Sequence, residues 1–449
     1  MGTDTVRAEA ADEAVERRRE QHGWYMYDWA CSVYSTSVLT VFLGPYLTSV
    51  AKAAADADGF VHPLGIPVRA GSFFAYAVSA SVILSIVVMP MAGAAADRTG
   101  RKKPLLAIAA YVGAAATTGM FFLAGDRYLL GGLLLVVANA SVAVSMVLYN
   151  SYLPQIAPPE ERDAVSSRGW AFGYAAGALV LVANLLLFTA HDSFGVSEST
   201  AVRICLASAG VWWGAFTLVP LKRLRDRRTA PAGTASTPGW RQLAATVRDM
   251  RGKPLTLSFL LAYLVYNDGI QTVISQASIY GSEELGLGQS TLIVAVLLVQ
   301  VLAVGGALGM GRLARRYGAK RTILGSLVAW TVTLAAGYFL PAGAPVWFFV
   351  LAAGIGLVLG GSQALSRSLF SHLVPSGKEA EYFSAYEMSD RGMSWLGPLL
   401  FGLTYQLTGS YRDAIISLVA FFAIGFVLLA RVPVRQAIRD AGNPVPDRI

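Results

Sequence analysis

Apolar runs about twenty residues long recur from one end of this chain to the other, divided by short polar breaks. A helix crossing ~30 Å of hydrocarbon needs roughly 20 residues at ~1.5 Å each, so every run is long enough to span a membrane. The runs fall near 25–50, 73–95, 104–124, 129–152, 168–190 and 200–220, then near 255–280, 290–311, 321–340, 345–371, 382–406 and 412–432. This pattern predicts an all-α polytopic membrane protein of twelve spans in two pseudo-symmetric six-helix bundles. The bundles cover 25–220 and 255–432, with a tail over 1–24, a linker over 221–254 and a second tail over 433–449. The linker is rich in Arg, Pro, Ser and Thr, with a short amphipathic helix expected around Trp240–Met250.

Composition agrees: 55% of the 449 residues are hydrophobic and 14% are charged, against about 25% charged in a soluble domain. A net charge of +8 raises nucleic acid as a partner, but the basic residues gather in alternate loops between spans. They include Arg17–Arg19, then Arg98, Arg101, Lys102 and Lys103, then Lys222–Arg228, then Arg312–Arg321. By the positive-inside rule both termini and the linker face the cytoplasm, which predicts a multi-pass protein of the cell's inner (plasma) membrane. The polar N-terminus lacks the layout of a signal peptide, so the first span is expected to stay as an anchor. Cys31 and Cys205 both lie in apolar runs and the four histidines are scattered, so no disulfide framework, metal site or cofactor is expected. There is no phosphate-binding loop for an ATP-driven pump, and no nucleophile–base constellation, which leaves an enzyme the least supported class.

An internal repeat marks the duplication. Gly93, Arg98, Gly100, Lys102 and Lys103 recur as Gly311, Arg316, Gly318, Lys320 and Arg321, each set after the second span of its half. The first copy, with Asp97 and Arg101, resembles the G-x-x-x-D-R-x-G-R-K/R loop of the major facilitator superfamily. Within that superfamily the chain looks like the bacterial relatives of the autophagy-related vacuolar amino-acid effluxers. The resemblance rests on Tyr27-Asp28-Trp29-Ala30, Leu153-Pro154 through Arg162, Tyr266-Asn267-Asp268-Gly269, Ser366-Arg367-Ser368-Leu369, Glu379-Ala380-Glu381-Tyr382-Phe383 and Gly397-Pro398, spread over residues 24–432. It implies the major facilitator fold and a transport role. Two positions depart from the family pattern: Cys31 replaces a usual Asn, and Arg315 replaces a usual Asp, which implies a weakened or rearranged latch in the second loop.

Ionisable groups inside spans are costly, so they normally face a cavity or a partner. Asp268 lies ~20 Å along the seventh span, close to mid-membrane, with Asn267, Gln271 and Gln276 on the same helix. These four, with Asn139 and Asn184, are the candidate substrate or proton site; the competing reading of each is a structural hydrogen bond between helices. Asp28, one turn into the first span, reads either as a gate residue or as a helix-start acid, and the aromatic residues around it fit an interfacial belt. Arg367, Glu387, Asp390 and Arg391, with Asp97, Arg98 and Arg101, form a candidate charge network that either gates the cytoplasmic side or is a static cluster. Glu387 and Arg391 have the i,i+4 spacing of a helical ion pair.

Gly169, Gly173 and Gly177 recur every four residues on the fifth span, and Gly305, Gly306 and Gly309 mark the eighth. Such small-residue faces allow close helix contact, so a packing pivot between these two helices is expected. The leading functional reading is a secondary transporter working by alternating access, with an amino acid as exported solute and a proton as coupling ion. The competing readings are a carrier of an amphipathic or lipid-like solute and a non-transporting membrane sensor or scaffold. A small solute and membrane lipid are the expected partners, nucleic acid is not, and a monomer is the expected working unit.

Overall fold

The structure is a computed structural model, and it describes residues 2–226, 248–392 and 396–449. The expected linker helix at Trp240–Met250 falls mostly outside the described residues. Where the chain resumes, Arg248–Arg251 is helical and Met250 is buried.

The helices are α1 Gly2–Val33, α2 Leu43–Ala53, α3 Phe73–Thr99, α4 Lys102–Gly119, α5 Tyr128–Asn150, α6 Leu153–Ile156, α7 Arg162–Thr189 and α8 Glu198–Arg223. They continue with α9 Pro254–Ile279, α10 Gln289–Tyr317, α11 Ala319–Tyr338, α12 Pro345–Ser371, α13 Glu379–Gly392, α14 Leu396–Thr408, α15 Tyr411–Ser417, α16 Val419–Arg431 and α17 Val434–Asp440. A π-helical stretch, Tyr34–Phe42, joins α1 to α2, and another, Tyr280–Glu284, follows α9. Among the described residues ten helices are long and apolar enough to cross a membrane. The ninth and eleventh expected spans correspond to α11 and to α13 with α14, which are not among those ten. The expected N-terminal tail is instead a helix continuous with the first span, and the expected C-terminal tail contains α17, whose Val434, Ala437 and Ile438 are buried.

The chain folds as two compact units. One comprises Met1–Tyr149 with Ala175–Ala235, the other Asn150–Tyr174 with Ser236–Ile449. This differs from a division at the central linker. The end of α5, all of α6 and the start of α7 belong in sequence to the first six spans, yet they pack into the unit built by the last six. The cause is polar: this segment carries the partners of a buried arginine on α12, described below.

The internal repeat is a structural one. Gly100 (φ +64°) turns the chain between α3 and α4, and Gly318 (φ +92°) does the same between α10 and α11. Both positions require a left-handed backbone that a side chain disfavours. In each unit a lysine just beyond that turn reaches carbonyls where a later helix ends. Lys103 Nζ donates to Leu224 O (3.1 Å), and Lys320 Nζ to Ala430 O (2.9 Å) and Val432 O (2.8 Å). A cation suits the negative end of a helix dipole.

The eighth span meets the fifth at Gly311, where a Cβ would run into Ser167 Oγ of α7, and it also meets α12 through glycines. A Cβ on Gly306 of α10 would run into Leu357 O of α12, and Cβ atoms on Gly356 and Gly360 of α12 would run into Val299 O and Ala303 O of α10. Gly305 and Gly309 face open space, and Gly177 meets Thr36 in the first unit. Gly169 and Gly173 are buried in α7. In the second unit α10 and α12 approach closely because glycines on both helices face the partner's backbone. Replacing Gly360 by Leu should separate α10 from α12 and cost about 1–3 kcal/mol from overpacking. Thermal unfolding of the purified variant measures this; an unchanged melting temperature would show that the crossing tolerates a side chain.

Candidate functional site

Every residue of α12 from Leu359 to Ser371 is buried, although Ser362, Gln363, Ser366, Arg367, Ser368 and Ser371 are polar. Arg367 is 2% exposed. Its Nε donates to Ser166 Oγ and its Nη2 to Ser166 O, both at 2.9 Å, and Nη1 reaches Asn150 Oδ1 at 3.3 Å. The guanidinium carbon lies 5.4 Å from the Trp170 ring centre, a cation–π distance. Asn150 Nδ2 donates in turn to Glu387 Oε1 (2.8 Å), so one carboxamide bridges the cation on α12 and the carboxylate on α13. Ser166 Oγ also donates to Ala364 O (2.7 Å), and Ser368 Oγ donates to Asp163 Oδ1 (2.6 Å).

One turn further, Arg162 staples the same segment. Its guanidinium donates to Ala157 O (3.2 Å), Pro154 O (3.3 Å) and Ser371 O (2.9 Å), and its Nη1 lies 3.4 Å from His372 Nδ1. Burial, then the Arg162 charge, holds His372 well below its ordinary value of 6.5, so the imidazole is neutral and can accept from Arg162.

A second chain of polar groups links α9, α12 and α13. Gln363 Nε2 donates to Asn267 Oδ1 (2.6 Å), Asn267 Nδ2 donates to Asp390 Oδ1, and Tyr263 OH donates to the same oxygen (3.3 Å). Tyr266 OH and Ser366 Oγ share a hydrogen bond of 2.6 Å. The structure thus brings together Arg367 with Glu387, through Asn150, and Asn267 with Asp390. The Arg391 side chain, and with it the expected Glu387–Arg391 pair, lies outside the described residues. Gln271 and Gln276 are half-buried and bond to none of Asn267, Asp268 and Asp390 among the described residues.

Asp268 is 2% exposed and points away from that chain. Its Oδ2 accepts the backbone N–H of Gly397 (2.8 Å) on α14. A hydrogen bond to an ionised carboxylate is stronger than one between neutral groups. Its Oδ1 is buried without a hydrogen-bond partner among the described residues. A Cβ on Gly397 would overlap Thr272, so glycine is what lets α14 approach the carboxyl.

In the first unit Asn139 Nδ2 donates to Ser81 Oγ (2.6 Å), and Asn184 Oδ1 accepts from Ser208 Oγ (3.0 Å). Both amides therefore join neighbouring helices. Asp28 is not a helix-start acid: α1 begins at Gly2, and the Asp28 Oδ2 accepts Tyr149 OH at 2.5 Å inside it. The aromatic belt around it is a buried cluster, with Trp24 stacked on Tyr149 (4.4 Å) and Trp24 and Tyr27 fully buried. Asp97 lies 3.5 Å from Lys102 Nζ, Arg98 Nε donates to Ala94 O (3.2 Å), and Arg101 is exposed.

Residue-type reasoning singles out Arg367, Glu387, Asp390 and Asn267 but passes over Asn150, Asp163, Ser166, Tyr149 and His372. Arg162 entered only as the end of a family motif. Small hydroxyls and an amide at span ends look like ordinary interfacial residues; nothing in their spacing marks them as partners of an arginine some 200 positions away.

The family description "Vacuole effluxer Atg22 like" matches residues 16–442. The chain belongs to the Atg22-like family. An uncharacterised MFS-type transporter of Bacillus subtilis, YxiO, is 30% identical to this Atg22-like chain over 421 residues, covering 92% of it and 95% of the relative. Autophagy-related protein 22 of Coccidioides immitis is 27% identical over 541 residues, covering 96% and 89%. Among solved structures, the major facilitator transporter FucP in its outward conformation aligns with a TM-score of 0.68 at 13% identity, over 92% of this chain and 98% of that one. The fold is that of the major facilitator superfamily, and this Atg22-like protein is a transporter of that type.

Two outcomes follow from the Arg367 and Arg162 contacts. Arg367→Lys keeps the charge but loses the fork that grips both Ser166 oxygens, so it should destabilise the protein by about 3 kcal/mol; equal melting of variant and wild type would show the fork to be dispensable. His372 is held neutral in the fold but takes up a proton near 6.5 when unfolded. Its contribution is therefore full above that pH and is lost as pH falls below it. The melting advantage of wild type over His372→Asn should shrink from pH 8 to pH 5, whereas parallel curves would contradict this.

Proposed function

We propose that the protein is a secondary transporter that exports amino acids by alternating access, driven by proton exchange. Membership of an effluxer family supports export, and the autophagy-related relatives support an amino acid as solute. The observation that carries proton coupling is Asp268: a carboxyl buried in the seventh span, with one oxygen held by Gly397 N–H and the other unbonded among the described residues. Taking up a proton removes a buried charge and weakens the charge-assisted hydrogen bond from Gly397 N–H. Protonation thereby couples to how firmly α14 is held against α9, which is the differential interaction that a driven cycle requires.

The Asn150–Tyr174 segment is the element that such a cycle must release and recapture from α12. Its bonds to Arg367, Ser368 and Ser371 are specific yet few, and all are polar, so water entering along α12 can replace them. The basic loops support a cytoplasmic location for both termini, in a plasma membrane, and the protein acts as a monomer.

Proteoliposomes loaded with a panel of labelled amino acids, with and without an imposed proton gradient, test this function. Saturable, gradient-sensitive flux that loses its gradient dependence in Asp268→Asn is the expected result. Gradient-driven accumulation by that variant would remove Asp268 from the coupling role, and absence of flux from folded protein would reject amino acids as the solute. In a second test, Asp163→Cys with Ser368→Cys, whose native side chains touch at 2.6 Å, should stop flux when oxidised and restore it when reduced. Undiminished flux through the cross-linked protein would show that the segment does not move.

A further inference from the structure

The two copies of the repeated loop dispose of their charge differently. In the first unit two of the cations are paired within the fold, Lys102 with Asp97 and Arg225 with Glu16, and the backbone N–H of Lys103 is accepted by Asp226 Oδ1 (2.8 Å). In the second unit Arg315 stands 218 positions after Asp97, and no carboxylate takes the place of that acid. Arg315, Arg316, Arg321, Arg435, Arg439 and Arg448 are all exposed. None of them forms an ion pair among the described residues.

These arginines are gathered by the fold. Arg448 Nη1 donates to Arg315 O (3.4 Å) and Arg316 O (3.1 Å), and Arg435 Nη2 donates to Asp447 O (3.0 Å). Lys320 ties the same loop to the carbonyls just before α17. The helix α17 buries Val434, Ala437 and Ile438 and turns Arg435 and Arg439, one turn apart, outward. Its apolar face is therefore already used, and its exposed residues are Arg435, Gln436, Arg439 and Asp440. Two apolar side chains at the end of α10, Leu313 and Tyr317, are 46% and 48% exposed beside them, with the Arg316 guanidinium 5.4 Å from the Tyr317 ring centre.

Six exposed arginines against the exposed carboxylates of Asp440 and Asp447 leave this part of the surface with a net positive charge that counter-charge from outside the chain can meet. A planar guanidinium fits a phosphate through two parallel hydrogen bonds, which an ammonium cannot do. An exposed tyrosine and leucine at the end of a spanning helix belong to the headgroup zone, where rings sit among lipid headgroups. A water-soluble acidic partner would satisfy the charge and leave those two side chains in water. We propose that this face binds the phosphate headgroups of anionic phospholipids in the membrane that holds the protein. The attraction of basic residues to an anionic leaflet falls off within ~10 Å at 0.1 M salt.

The test titrates purified, detergent-solubilised protein with phosphatidylglycerol, phosphatidylcholine or inorganic phosphate at equal phosphorus. Melting temperature and lipid adducts in native mass spectra are the readouts. Phosphatidylglycerol should raise the melting temperature several degrees more than phosphatidylcholine, and about 0.5 M salt should remove most of that excess. Arg435→Gln with Arg439→Gln, and separately Arg315→Asp, should each lose at least half of the excess while melting like wild type in phosphatidylcholine. Equal shifts from the two lipids, a full excess in both variants, or an excess that survives the salt would overturn the proposal. So would inorganic phosphate matching phosphatidylglycerol, since the ligand would then be a free anion. The wild-type arms decide the matter even if a variant fails to fold.

Discussion

A guanidinium held out of water inside a membrane protein is the constraint around which the second unit is arranged. A buried charge is costly unless its donors are paired and hydrogen-bonded. Arg367 can neither leave α12 nor reach water, since α12 is buried from Leu359 to Ser371. The chain meets the requirement by bringing in donors' partners from elsewhere: both oxygens of Ser166, the amide oxygen of Asn150 and the face of Trp170. All of these lie between the fourth and fifth spans. That is why the segment Asn150–Tyr174 belongs to the unit built by the last six spans, and why the unit boundary cuts through α5 and α7.

The same logic accounts for the composition of the segment. Arg162 spends its donors on three carbonyls and an imidazole, and so fixes the polypeptide that presents Asn150 and Ser166. Serines recur on both sides of the contact because a hydroxyl can accept from arginine and donate to a carbonyl at once, as Ser166 does between Arg367 and Ala364. Such contacts are strong where water is excluded and weak where it enters. A contact made of apolar side chains would lack that property, because wetting does not offer it an alternative partner. Polar closure is thus suited to an element that has to open.

What could be read in the sequence follows from which signals are local. Apolar run length and the glycine turns at Gly100 and Gly318 are local signals: ten of the runs are helices long enough to span a membrane among the described residues, and both turns are present. Asp268, Arg367 and Asn267 stand out because an ionisable or amide group in an apolar run is conspicuous by itself. Their partners do not stand out. Ser166, Asn150 and Gly397 acquire meaning only from helices distant in sequence, and the Gly306–Gly360 crossing depends on which of several glycine faces meets another. The aromatic residues around Asp28 show the limit most clearly: rings at a span end fit an interfacial belt, yet α1 extends past them to Gly2 and Tyr149 covers them. A one-dimensional pattern locates the end of an apolar run, which here is not the end of the helix.

The two repeats have diverged in the role of their loops, and one position explains how. With an acid at Asp97, the first loop closes on its own Lys102 and needs little from outside. With Arg315 in the equivalent place, the second loop gains a positive charge and loses the group that would have neutralised one. Its anchorage passes to backbone carbonyls, through Lys320 at the end of α16 and through Arg448 at the end of α10. Carbonyls hold a cation in position without cancelling its charge. The loop is therefore fixed and still electropositive, whereas the first keeps one acid, paired with Lys102. A duplicated unit that keeps its turn glycine and its lysine but exchanges the acid retains the fold and changes what the surface attracts.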